Sequence, residues 1–401
     1  MIDPSRPRHQ ESRREMNFLS THRAPALRQA LRILIVPDKF KGTLTAQKAA
    51  LAMARGWKKI RPRDSIELLP MGDGGDGFGE IIGRLIGAKQ RKTKTVDAAH
   101  RPVVATWWWD NKTKTAVIES ARVIGLAMLP SGQFHPFQLD TFGLGKLVQA
   151  AQKLGCQNCL VGSGGSATND GGFGVARALG WKFRDANGEE IENWTALNRL
   201  QQICPPTKNV ATQMKVTVAI DVQNRLLGSR GASRIYGPQK GLQPKDFSSA
   251  ERSLKQLARL SKRLLGKDFS IVPGAGAAGG LGFGLMAFCG ARPEPGFQIF
   301  SKCAKLEQRL RKTDLVLTGE GALDRQTLMG KGVGQVALLC AKMNVPCIGI
   351  AGVVLEPKKA QKFFTQTHGI TEITSEEKAK ARPAEFLERI SAEIARTWRG
   401  S

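Results

Sequence analysis

The chain is built on a rhythm: a short apolar run, a loop rich in glycine and aspartate, then apolar residues at helical spacing. LRILIVP (31–37) is an apolar run closed by proline, the pattern of a buried strand. Thr43 and Thr45 stand as caps, after which Ala46, Ala49, Ala50, Met53 and Trp57 recur on one helical face. SIELLP (65–70) and FGEIIGRLIGA (78–88) repeat the step. Two strand–loop–helix units in succession predict a parallel sheet covered by helices.

The middle of the chain reads differently. Residues 92–119 contain three short strand patterns with charged turns, including VVATWWW and TAVIES. A helix over about 141–154, a strand at NCLVG (158–162), a helix over about 171–180 and a strand at KVTVAID (215–221) follow. Residues 246–266 form a basic amphipathic helix pattern, and the strand–helix rhythm then returns. TDLVLTG (313–319) reads as a strand, 333–343 as a helix, VPCIGIAG (345–352) as a strand and 382–398 as a terminal helix. The expected fold is therefore α/β with two domains. Residues 31–88 with 270–401 form a doubly wound, flavodoxin- or Rossmann-like parallel-sheet domain, and 89–269 an inserted α/β domain. Residues 1–30, polar and arginine-rich, are expected to be a flexible basic tail.

Composition narrows the class. At 41% hydrophobic residues over 401, the chain can bury substantial cores. No run approaches the ~20 apolar residues of a membrane span, and residues 1–30 lack the apolar stretch of a secretory signal, so a cytoplasmic protein is expected. Seven cysteines do not suggest a disulfide framework. The lone Cys156–Cys159 pair reads as small buried hydrophobes. The net charge of +27 is spread along the chain with a single tyrosine, unlike a nucleic-acid stripe interleaved with aromatics. Such a surface suits small anionic substrates. The five histidines sit outside every motif, and neither a GxSxG elbow, an HExxH pair nor a P-loop is present.

In open α/β sheets ligands bind beyond the carboxyl ends of the strands, and the unusual segments fall there. GSGGSATNDGG (162–172) follows a strand and opens a helix, so its backbone can form an anion-binding nest of amide groups. Gly164 and Gly165 supply flexibility, Ser166, Thr168 and Asn169 neutral donors, and Asp170 an acceptor for a substrate hydroxyl. PGAGAAGGLGFG (273–284) has no acidic residue at the dinucleotide-fingerprint position. It implies close backbone approach, to a nucleotide or to a helix. Asp38, Asp73, Asp76, Asp221, Glu320 and Asp324 all lie in expected strand-end loops. Lys41 and Lys331 are the candidate phosphate clamps, with Lys39, Lys240 and Arg325 behind them.

Taken in order, PDKFKGTL (37–44), DGGDG (73–77), GGSATNDGG (164–172), IDVQN (220–224), GPQKG (237–241), GAGAAGGLG (274–282) and TGEGALDRQT (318–327) with Gly330-Lys331 closely resemble the motif series of bacterial-type glycerate kinases. Lys39 stands where that family usually has serine and Asp76 where it has glutamate. Ile220, Gln223 and Arg225 alter the surroundings of Asp221, and Ala322-Leu323 replaces Arg-Ile. The resemblance implies a two-domain α/β fold and transfer of the γ-phosphoryl group of ATP, with Mg2+, to D-glycerate, usually giving 2-phosphoglycerate. Phosphoryl transfer needs positioning and charge neutralisation, and Mg2+ needs one or two carboxylates beside phosphate oxygens. Glu320 and Asp324 are the expected metal ligands, Lys41 steadies the transferred group, Asp73 or Asp221 lies by the acceptor hydroxyl, and Asp38 and Lys331 belong to the substrate side. A homo-oligomer is compatible with this reading; nucleic-acid and membrane partners are not expected. The alternatives are a non-catalytic nucleotide- or anion-binding relative and a kinase of another small hydroxy acid.

Overall fold

The structure, a computed structural model, describes residues 30–40, 42–207, 209, 213–328 and 332–399. The expected tail, 1–30, lies almost wholly outside them. Strands β1 (Arg32–Pro37) and β2 (Ser65–Leu68) come from the start of the chain. Six more follow: β3 (Lys89–Val96), β4 (Pro102–Asp110), β5 (Thr115–Glu119), β6 (Asn158–Gly162), β7 (Lys182–Arg184) and β8 (Gln202–Cys204). The remainder are β9 (Lys215–Ala219), β10 (Arg292–Glu294), β11 (Leu315–Leu323), β12 (Cys347–Val354) and β13 (Gln366–Gly369).

Five of these form a wholly parallel sheet in the order β13-β12-β11-β1-β2. Strand β1 is buried on both faces, and its alternation sorts its side chains between two cores. Ile33 and Ile35 join Leu315, Leu317, Ile348 and Ile350 beneath the helices Ala46–Ile60 and Pro383–Thr397. Leu34 and Val36 point to the opposite side, with Val316 and the helix Gly332–Lys342. Helices on both faces of a parallel sheet make this layer doubly wound, as expected. The chain leaves β1 on one side, to β2, and returns on the other, to β11, so the topological switch point lies between β1 and β11.

The second sheet has the order β10-β9-β6-β5-β4-β3, parallel except at its β4 and β3 edge. In the run WWW, Trp107 and Trp109 enter the core of this sheet, whereas Trp108 faces the helix Phe78–Leu85. Gly79 and Gly83 of that helix lie against the indole; a Cβ on Gly83 would stand 2.6 Å from it.

The helix Ala277–Cys289 and β10 fall beyond residue 269, yet the helix is buried within the core of the second sheet and β10 pairs with β9. The helix is apolar all round, so it needs a core on every side rather than one covered face. Strand β11 also runs on through Leu323, four residues past the expected TDLVLTG run. Strands β7, β8, β10 and β13, of three or four residues each, carry too little pattern to be predicted.

The glycines of 274–284 pack closely on protein backbone, while Ala277 and Ala278 between them border a cleft. Gly171 N–H donates to the Gly279 carbonyl at 3.1 Å, and a Cβ on Gly284 would stand 2.5 Å from the Gly172 Cα. Gly284→Ala is therefore expected to push this helix off the 168–172 loop and cost about 1–3 kcal/mol. Thermal unfolding checks this; a wild-type Tm would show that the contact yields freely.

Candidate active site

The carboxyl ends of both sheets border a cleft of about 470 Å³ lined by the 73–76 and 163–166 loops, with Lys39, Asp221, Tyr236, Gln239 and Lys240. The two loops meet backbone to backbone. Gly164 N–H donates to the Gly74 carbonyl at 3.0 Å, and a Cβ on Gly164 would stand 2.6 Å from the Gly75 Cα. Loop 73–77 is held from beneath by a residue that sequence reasoning passed over. Glu119, buried at the end of β5, accepts from the Gly77 and Gly79 amides, each at 3.0 Å. It thereby supplies the cap that Gly77, in the left-handed region, cannot offer the helix Phe78–Leu85.

At the switch point the acids crowd. Asp38 N–H donates to the Gly319 carbonyl at 2.8 Å, tying the end of β1 to β11. Burial pushes the Asp38 carboxyl up to about 7, and the charges of Asp73 and Glu320 beside it push the same way, against the Lys39 amide and ammonium. Glu320 lies within β11, paired in register with Ala351, and not in the loop expected from sequence. Its Oε1 accepts from the Thr327 hydroxyl at 2.7 Å. Asp324 follows the strand and accepts from the Thr327 amide at 3.0 Å, the geometry of a cap on the turn Arg325–Leu328. Thr327 thus links the two expected metal ligands, but Glu320 is the one set against Asp38. Asp221, after β9, accepts from Gly296 N–H at 2.9 Å. The Gly296 backbone also abuts that of Asp73, leaving no room for a Cβ.

The 162–172 loop departs from its expected role. Gly164, Gly165 and Ser166 line the cleft. Thr168, Asn169 and Asp170 are fully buried and do not line it. Asp170 accepts from Thr141 Oγ1 at 2.7 Å, the Thr141 and Gly174 amides at 3.0 and 2.9 Å, and the Gly172 amide at 3.2 Å. Fully buried, with three donors on Oδ2 and one on Oδ1, Asp170 anchors the loop away from the cleft wall where a substrate acceptor was expected. Burial, reinforced by Asp140, raises its carboxyl to about 6 against those donors. Asn169 donates to Ser233 at 2.9 Å. Nor are all the loop amides available as a nest, because those of Gly164, Ala167 and Gly171 are bonded to carbonyls and that of Thr168 to Ser166 Oγ.

Cationic partners are rearranged as well. Lys41 and Lys331, the expected phosphate clamps, lie outside the described residues. Lys240, ranked behind them because a lysine usually ends in solvent, is only 6% exposed. It lines the cleft and donates to the Thr168 carbonyl at 2.6 Å. Burial brings its ammonium down to about 7, partly offset by the charge of Asp170. The Pro238 within GPQKG, which starts a short turn ending at Lys240, was the available clue to its inward placement.

A model of the glycerate kinase family matches residues 33–399. A protein of Escherichia coli K12 described as glycerate 2-kinase is 38% identical over 80% of this chain and 85% of its own. A Bacillus subtilis 168 protein described as glycerate kinase is 35% identical over 91% of this chain and 97% of its own. A crystal structure attributed to glycerate kinase 2 of Salmonella typhimurium LT2 superposes with a TM-score of 0.77 at 33% identity, covering 92% and 98% of the two chains.

Asp170→Ala leaves the Thr141 and Gly174 donors buried and unmatched, and is expected to cost about 3 kcal/mol or more of folding stability. Ser166→Ala removes the acceptor of one buried amide, that of Thr168, and is expected to cost about 1–2 kcal/mol, less than Asp170→Ala. Denaturant unfolding of the two variants checks the division; equal losses would contradict it.

Proposed function

The chain belongs to the glycerate kinase family, and on that premise we propose that this cleft transfers the γ-phosphoryl group of ATP to the 2-hydroxyl of D-glycerate, releasing ADP. The observation that carries the reading is the convergence of Asp38, Asp73 and Glu320 at the switch point, with Asp73 lining the same cleft as the glycines of the 163–166 loop. A binding relative without catalysis has no need to crowd three carboxylates where one is pushed up to about 7. A divalent cation beside polyphosphate relieves that crowding. Mg2+ takes one or two carboxylate oxygens and keeps water and phosphate oxygens in its remaining positions. The described residues close no three-carboxylate cluster, so one or two of Asp38, Asp73 and Glu320 would hold it, and when bound it would neutralise charge on the transferred group. Asp324 orients Glu320 through Thr327.

On the opposite wall, Gly164, Gly165 and Ser166 with the Lys240 ammonium receive the glycerate carboxylate. Asp221, fixed by the Gly296 amide, aligns the acceptor hydroxyl and takes its proton as the oxygen–phosphorus bond forms and the bond to ADP breaks. Preference for the 2-hydroxyl draws support from the name of the Escherichia coli relative. The +27 charge steers anionic substrates into the cleft and needs no nucleic-acid partner. No described helix is long and apolar enough to cross a membrane, and we place the enzyme in the cytoplasm, where ATP is supplied.

Incubation with ATP, Mg2+ and D-glycerate, followed by NMR of the product, is expected to give 2-phosphoglycerate. Turnover of other hydroxy acids but not of glycerate would overturn the substrate, and 3-phosphoglycerate the regiochemistry. Glu320→Gln keeps the shape and removes the charge. It is expected to lower kcat about 100-fold or more and raise the Mg2+ requirement; a Mg2+ titration overlaying wild type would remove Glu320 from the metal side.

Lys240 gives the reaction a pH signature. Its folded pKa of about 7 lies below the ordinary ~10.4 of lysine. The ammonium is therefore present below about pH 7 and lost above it, while the glycerate carboxylate stays charged throughout. KM for D-glycerate is expected to rise as pH passes from about 6 to about 8, and Lys240→Met to raise KM and flatten that dependence. A variant whose profile parallels wild type would take Lys240 out of carboxylate binding.

A further inference from the structure

A second cavity, of about 290 Å³, opens at the carboxyl ends of β11 and β12, walled by Phe40, Gly321, Val353, Leu355, Ile370 and Ala379. Its relation to the acids is covalent. Gly321 directly follows Glu320, and Phe40 lies two residues after Asp38, with the cleft-lining Lys39 between them. Consecutive Cα atoms are ~3.8 Å apart, so the cavity begins within a residue or two of the acidic cluster.

Its lining differs from that of the first cleft. The cleft carries Lys39, Asp73, Asp76, Asp221 and Lys240 among its lining, whereas this cavity has no aspartate, and apolar side chains over two glycines make up most of its wall. Its volume lies just below the ~300–1,000 Å³ range of organic-ligand pockets, enough for a base but not for a whole nucleotide. Leu355 at its lip is 60% exposed, one of the two most exposed large apolar side chains among the described residues, the other being Val104 on β4. A flat heteroaromatic ring would cover it. Polar groups stand at the mouth: Glu376, paired to Lys380 at 2.7 Å, lines the same opening and is an acceptor in reach of sugar hydroxyls.

We propose that this cavity seats the purine base of the nucleotide, with the phosphate chain running past Gly321 to Asp38, Asp73 and Glu320. The proposal rests on the kinase reading above and adds a direction to it: base by the β12 edge, phosphates at the switch point, acceptor in the glycine-walled cleft. The Gly321 and Gly352 floor lets the chain pass over backbone, and the apolar walls stack and desolvate the base while Glu376 takes the ribose.

The test separates base from phosphate recognition. Isothermal titration of the full chain with ADP, and separately with inorganic tripolyphosphate, both with Mg2+, is carried out on wild type, Leu355→Asp and the control Val104→Asp. A carboxylate on the lip of an apolar slot opposes burial of the base. Leu355→Asp is expected to weaken ADP about tenfold or more, leaving tripolyphosphate binding and KM for D-glycerate unchanged, with Val104→Asp silent. Thr371→Trp, which narrows the same cavity from another element, is expected to show the same selective loss. An active kinase whose ADP affinity is untouched by either variant, or that loses ADP and tripolyphosphate affinity together, overturns the cavity while the function stands. A wild-type chain that neither binds ADP nor phosphorylates glycerate overturns both.

Discussion

The site depends on one contact, the seam where Gly164 N–H meets the Gly74 carbonyl with no space for a side chain on either loop. The two loops leave different sheets, β2 in one and β6 in the other, so the seam sets the width of the cleft between them. Glu119 fixes one side by capping the helix that follows the 73–77 loop. Asp170 fixes the other by gathering the amides of Gly172 and Gly174 with Thr141. Both anchors are buried carboxylates answered by backbone donors, which costs less than an unpaired buried charge and holds a loop more tightly than a surface bond would. Flexible glycine loops thereby present a fixed surface, which positioning-based catalysis requires.

Against that fixed wall the acids at the switch point are left in electrostatic conflict. Asp38 is drawn to β11 by its own backbone amide, so it cannot move away from Glu320. The fold holds like charges together in a partly dry place, where their repulsion is expressed as a raised carboxyl rather than dispersed by water. Lys240 meets the mirror problem, an ammonium held among buried groups with its titration brought near neutrality. Proteins tolerate such strain where a ligand of opposite charge completes the arrangement.

Much of this was legible in the sequence. The strands β1, β5, β6, β9, β11 and β12 stand out as apolar runs, and the parallel, doubly wound layer follows from their alternation with helical spacing. The strand-end position of the Asp38, Asp73 and Asp221 loops was readable for the same reason. Roles within the 162–172 loop were not, because a string of small polar residues looks the same whether its amides face a ligand or a neighbouring helix. Only the packing of Gly279 and Gly284 on that loop turns Thr168, Asn169 and Asp170 inward. The placement of Glu320 inside β11 was hidden because the strand continues through two glycines, which in sequence look like its end. Burial of Lys240 was only hinted at by the Pro238 turn, because depth belongs to the tertiary fold and a lysine by itself carries no mark of it.

In the reading proposed, the acids Asp38, Asp73 and Glu320 at the switch point serve the metal and phosphate side and the 163–166 loop the acceptor side. The direct measurement is an anomalous difference map from crystals of the protein grown with Mn2+, ADP and D-glycerate. The account predicts a Mn2+ peak among Asp38, Asp73 and Glu320, with the glycerate carboxylate against Gly164, Gly165, Ser166 and Lys240. A peak held by Asp76 or Asp221 instead, or glycerate bound away from the 163–166 loop, would contradict it.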